Sequence, residues 1–99
     1  MSYEILWSHR AELTIAQNMD YIAHEWNEKV LKSFFLDTEK VIQKIKLNPF
    51  IYPLCDSEIN VRKAIINKRI VLYYQIIDNK TIELLTFWNT YRNPKDLKL

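Results

Sequence analysis

No glycine occurs anywhere in the 99 residues. Glycine is the residue that enters left-handed backbone without steric cost and lets a main chain close around a ligand. A phosphate-cradling glycine-rich loop and a strand-turn-helix nucleophile elbow both depend on such conformations. Nucleotide-dependent chemistry and a hydrolase triad are therefore set aside. Turns must be built from other residues, and the asparagines of Asn67-Lys68-Arg69 and Asp78-Asn79-Lys80 are expected to take positive φ, since asparagine tolerates it best after glycine.

Ahead of those turns the hydrophobic period changes from helical spacing to alternation, and that change gives the fold class. Tyr3 to Trp7 is short and β-prone, and Ser8 behind it is a good helix cap. Ala11, Ile15, Ala16, Met19, Ile22, Ala23 and Trp26 then recur at spacings of three and four, which predicts an amphipathic helix. Asn27 caps a second helix with an apolar face of Val30, Leu31, Phe34, Phe35, Val41, Ile42 and Ile45, and Asn48-Pro49 stops it. Two helices joined this tightly form an antiparallel hairpin. Phe50 to Asn60 has no period and reads as a loop, after which Val61 to Ile66, Ile70 to Ile77 and Thr81 to Trp88 alternate as strands of a meander. The expectation is a single α+β domain over residues 1–99: an N-terminal strand, an α-helical hairpin, then an antiparallel three-stranded β-meander packed on the helices.

Cys55 is the only cysteine, so neither an internal disulfide nor a thiolate zinc site can form, and a reducing cytoplasm is the compartment expected. The amino terminus has no basic segment followed by an apolar one, and no apolar run is long enough to span a bilayer, so no membrane partner is expected. His9 and His24 lack the spacing of metal ligands and read as surface helix residues; no metal and no cofactor are expected.

Charge is divided unevenly. Residues 1–58 carry six Lys/Arg against nine Asp/Glu, whereas residues 59–99 carry eight against three, giving −3 and +5. The basic part suits an anionic partner, whether nucleic acid or an acidic peptide, or is simply a solvated edge. The strand Ile70 to Ile77 is apolar on both faces, yet one helix hairpin can cover only one face of an antiparallel sheet. Either the other face is a docking surface, with Leu72, Tyr73, Tyr74 and Trp88 as candidates for burial in a complex, or the tail Arg92 to Leu99 folds over it.

The residues left for chemistry are the basic and aromatic set on and around the strands. Arg62, Tyr91 and Arg92 are the candidate catalytic residues, since metal-free RNA cleavage needs a proton donor and cations for the phosphorane charge. Lys63, Lys68, Arg69 and Lys95 are candidates for target or RNA binding, alongside rings that stack bases. Ordinary packing of Trp88 and of one of Tyr73 or Tyr74, with the cations merely solvated, is the competing account.

Taken together, Trp7-Ser8 with Ala11, Tyr21-Ile22, Asn48-Pro49, Val61-Arg62-Lys63, Val71-Leu72-Tyr73-Tyr74-Gln75-Ile76 and Arg92-Asn93-Pro94-Lys95, in this order over residues 3–98, resemble the RelE/ParE toxin superfamily. The resemblance implies the toxin of a type II toxin-antitoxin system, associated with growth inhibition and plasmid stabilisation and neutralised by a cognate antitoxin. RelE-like members cleave mRNA on the ribosome, and ParE-like members poison DNA gyrase; a degenerate toxin would keep only antitoxin binding. At the positions of the RelE-like lysine pair stand Arg62 and Ala64, and Val71 stands where those nucleases have an arginine before the central strand motif. The ending is similar to the ParE-like Asp-x-Arg-x-Asn-Pro, with Asn89 at the aspartate position, Tyr91 at the arginine position and Arg92 beside it. With two cations missing, the resemblance favours the ParE-like branch.

Overall fold

The computed structural model describes residues 2–56 and 58–99. Along the chain run β1 (Glu4–Trp7), α1 (His9–Glu25), α2 (Glu28–Leu47), β2 (Val61–Ile65), β3 (Ile70–Ile76), β4 (Thr81–Asn89) and a single 3-10 turn at Pro94–Asp96. The expected element order and α+β class hold. The N-terminal strand joins the meander, so the sheet has four strands in the order β1-β4-β3-β2, with β1 parallel to β4 and the other pairs antiparallel.

Both predicted caps form. Asn27 accepts from the Val30 N–H, and the Ser8 hydroxyl accepts from the Ala11 N–H at 3.0 Å while donating to the Leu85 carbonyl at 3.0 Å. Leu85 is the extra residue of a bulge in β4, because Tyr73 pairs with Thr86 while Tyr74 pairs with Leu84. One hydroxyl thus starts α1 and fixes it to the bulge where β1, whose last pair is Trp7 with Leu84, runs out.

Beyond that point α1 takes the place of a strand. Thr14 Oγ1 accepts from the Phe87 N–H at 2.9 Å, and Asn18 Nδ2 donates to the Phe87 carbonyl at 2.9 Å, so helix side chains satisfy backbone groups on the outer edge of β4. The buried face of α1 is accordingly Ala11, Thr14, Asn18 and Ile22, whereas Ala16, Ala23 and Trp26 of the expected stripe are exposed. A strand edge demands hydrogen-bonding partners, and that demand displaced the purely apolar register. In α2 the buried residues are Phe34, Thr38, Val41 and Ile45, and Phe35 is exposed.

The helices cover one sheet face. Ala64, Leu72, Tyr74, Ile82, Leu84 and Phe87 pack there with Ala11, Ile22, Phe34, Val41 and Ile45. On the opposite face Val61, Tyr73 and Trp88 form a smaller cluster, against which Cys55 of the loop and Leu97 of the tail pack together with Val71 and Leu85. The tail does fold over part of this face, and Ile65 on its rim stays 66% exposed. The loop before β2 contributes edge pairing: Leu54 bridges to Arg62, and Lys63 N–H donates to the Pro53 carbonyl.

The expectation for the turns is corrected. Among the described residues only Asn60 has positive φ, at 63°, and it precedes β2 rather than sitting in either hairpin turn. The turns are instead closed by side chains: Asn67 Oδ1 accepts from the Arg69 and Ile70 N–H groups, and Asp78 Oδ1 accepts from the Lys80 N–H.

Candidate functional site

Arg62 and Tyr74 are cross-strand partners, so they share the helix-side face. Arg62 Nη1 donates to the Tyr52 carbonyl at 2.7 Å and to the Phe50 carbonyl at 3.5 Å, and its guanidinium lies 5.2 Å from the centre of the Phe50 ring. These contacts tie the loop after α2 to β2. Beside it, the Tyr74 hydroxyl donates to the Pro49 carbonyl at 2.7 Å. Burial pushes the Tyr74 hydroxyl up to about 12, with the Arg62 charge pulling the other way.

Arg69 organises a second cluster. It ends the β2-β3 turn, and its guanidinium stacks 3.7 Å from the centre of the Trp26 ring and 5.3 Å from that of Tyr91. Arg69 Nε also donates to the Tyr91 hydroxyl at 3.3 Å. The cluster borders a cleft of about 430 Å³ between the helix hairpin and this turn, with Tyr21, Ile22, Val30 and Phe34 as apolar wall and with Lys29, Lys68 and one acid, Asp37, on the lining. Trp26, which the sequence pattern assigns to the buried stripe of α1, lines this cleft; its place just before the Asn27 cap was the signal that its ring could face outward.

Arg92 lies elsewhere. Its guanidinium sits 5.2 Å from the Trp88 ring centre, over the sheet face opposite to Arg62, since Trp88 pairs with Val71 and belongs to the second cluster. The three candidate catalytic residues are therefore divided: Tyr91 with Arg69, Arg92 over Trp88, and Arg62 holding the loop on the other face. Lys63 is exposed and pairs across the strands with Tyr73, Lys68 is exposed on the turn, and Lys95 is exposed beyond β4.

Of the four residues expected to meet a partner, Leu72 and Tyr74 are fully buried under the helices and out of reach of a docked chain. Tyr73 and Trp88 face the other way but are mostly covered by Cys55 and Leu97. They were legible as strand apolars, but alternation alone does not tell which face is covered. Burial raises the Tyr73 hydroxyl, with the Cys55 charge adding to it, and burial also raises Tyr52. These tyrosines are moved away from proton exchange at neutral pH.

Among the described residues no cluster of His, Cys, Asp or Glu is arranged to hold a metal, and no helix is long and apolar enough to cross a membrane.

The family model for the ParE toxin of type II toxin-antitoxin systems matches residues 5–94. No curated protein sequence matches the chain significantly. Among solved structures, the fold is similar to a chain of the chromosomal ParDE toxin-antitoxin system of P. aeruginosa, with TM-score 0.73 and 10% identity over 89% of this chain and 96% of that one. It is also similar to a chain of the E. coli DinJ-YafQ toxin-antitoxin complex, with TM-score 0.62, 11% identity and coverage of 92% and 96%. The S. aureus YoeB dimer matches with TM-score 0.62, 15% identity and coverage of 89% and 97%.

Proposed function

Since the chain belongs to the ParE toxin family of type II toxin-antitoxin systems, we propose that it arrests growth by docking on DNA gyrase in the cytoplasm, and that a cognate antitoxin holds it inactive. The observation that carries the choice of target is the separation of the cations. Cleaving RNA without a metal needs a base, an acid and positive charge gathered around one phosphate. Here Arg62 is engaged with the Tyr52 and Phe50 carbonyls, while Arg92 lies over Trp88 on the other side of the sheet. What the surface offers instead is a set of separate cation-aromatic contacts, which suits protein docking, where Arg and aromatic side chains are enriched.

The antitoxin is assigned to the cleft beside Trp26. An amphipathic helix fits an apolar groove of this kind, with acidic side chains meeting Lys29, Lys68 and Arg69 on its lining. Lys63 and Lys95, outside the cleft, are left for the target.

Expression without antitoxin, followed by assay of gyrase supercoiling, tests the reading. The expected outcome is growth arrest with supercoiling inhibited in the purified system and transcripts intact. Arrest with normal supercoiling and cleaved mRNA would replace it with ribosome-dependent RNA cleavage, and harmless overexpression would leave a chain that only binds antitoxin.

A further inference from the structure

On the side of α1 away from the Trp26 cleft, a separate hollow of about 260 Å³ lies between the start of α1, the end of β4 and the tail. Three cations reach it from two parts of the chain, Arg10 from the first turn of α1 and Arg92 and Lys98 from the tail, together with His9; Asp96 is the one acid on its lining. Among the described residues, no hydrogen bond or ion pair is formed by the side chains of Arg10, Arg92, Lys98 or Asp96, and the guanidinium of Arg92 lies 5.2 Å from the centre of the Trp88 ring. Three like charges around one hollow repel each other, and the start of a helix adds partial positive charge. An anion seated there removes that repulsion. Gln17 on the wall adds a neutral donor.

We propose that this hollow binds a small phosphorylated anion, with Arg10, Arg92 and Lys98 holding its phosphate oxygens. The phosphate is the recognised group. Trp88 lines the hollow but is buried, only 7% exposed, beneath Arg92, so little ring face is left on which a base could stack. A hollow closed on one side by the tail also differs from the open basic track that a polynucleotide needs. Because Arg10 belongs to α1 and the other two cations to the tail, a bound phosphate bridges the two. Leu97, which packs on the Tyr73 and Trp88 cluster, sits between Arg92 and Lys98 in sequence, so the bridge holds the tail over that sheet face.

Pyrophosphate is the probe, titrated by calorimetry and by thermal unfolding at constant ionic strength, with chloride as the reference salt. Saturable binding that raises Tm and slows proteolytic removal of the tail is expected. Arg10→Gln, Arg92→Gln and Lys98→Gln should each weaken it about three- to tenfold, and Asp96→Asn should tighten it. Lys29→Gln, across α1 in the other cleft, should leave it unchanged. Inorganic phosphate and a single-stranded oligonucleotide form the comparison arms: weaker binding of phosphate by the same residues supports the assignment, and tighter binding of the oligonucleotide overturns it. A Tm rise no larger than with chloride, or one indifferent to all three glutamine variants, also overturns it.

Discussion

At the residue scale, single polar atoms hold the molecule at its least regular places. The Tyr74 hydroxyl ties β3 to the end of α2 through the Pro49 carbonyl, and it is raised to about 12 by burial. A tyrosine whose folded value lies above its unfolded one favours the folded state in its neutral form. That contribution is complete below the ordinary value of 10.0 and is lost as pH climbs from there through about 12. Urea unfolding should therefore show stability falling over this interval, and Tyr74→Phe should flatten the fall while costing about 1–2 kcal/mol at neutral pH. A slope unchanged by the substitution would assign the alkaline loss to Tyr52 and Tyr73, which shift in the same direction. The turns show what residue reading reaches. Asparagine was the correct residue type for positive φ, yet the residue that adopts it is Asn60, whereas Asn67 closes its turn through its side chain. Both uses draw on the same short amide, and only the surrounding backbone decides between them.

At the element scale, both α-helices and all four strands were legible, because caps, Asn48-Pro49 and the change of hydrophobic period are local signals, whereas the 3-10 turn at Pro94–Asp96 was not. The pairing of β1 with β4 was not, since it joins residues more than seventy positions apart, such as Ile5 with Ile82. The same distance hid the polar face of α1. Thr14 and Asn18 interrupt an apolar stripe when the helix is read alone, and they become necessary once the edge of β4 lies beside them. Thr14→Val and Asn18→Leu keep the volume and remove the partner. Each should cost about 2–3 kcal/mol by denaturant unfolding, from an unpaired Phe87 amide or carbonyl. Ala16→Ser, on the exposed side of the same helix, should change stability by less than about 0.5 kcal/mol. Equal losses at all three positions would mean that helix propensity, rather than edge pairing, sets the effect.

At the scale of the whole molecule, the basic second part of the chain does not make one patch. Its cations are distributed between the Trp26 cleft, the loop anchored by Arg62, the open β2-β3 face and the hollow under the tail. Composition gave the excess charge, but its division among surfaces depends on which face each strand residue takes. This separation makes the surfaces testable one at a time. Lys68→Glu with Arg69→Glu should weaken antitoxin capture about tenfold or more and make the remaining binding less sensitive to salt. Arg92→Glu should leave capture within about twofold. Loss of capture by Arg92→Glu alone would move the antitoxin to the opposite side of the sheet.

The substitution of helix for strand along β4 has a consequence for how the chain can fail. Residues 4–18 form one continuous selvedge, its first part woven by main-chain pairing and its second stitched by Ser8, Thr14 and Asn18. Peeling that selvedge away in one motion would bare the whole flank of β4, the sort of raw border on which sheets of separate molecules adhere. Damage to the amino-terminal segment should then register first as self-association, before any fall in helix content.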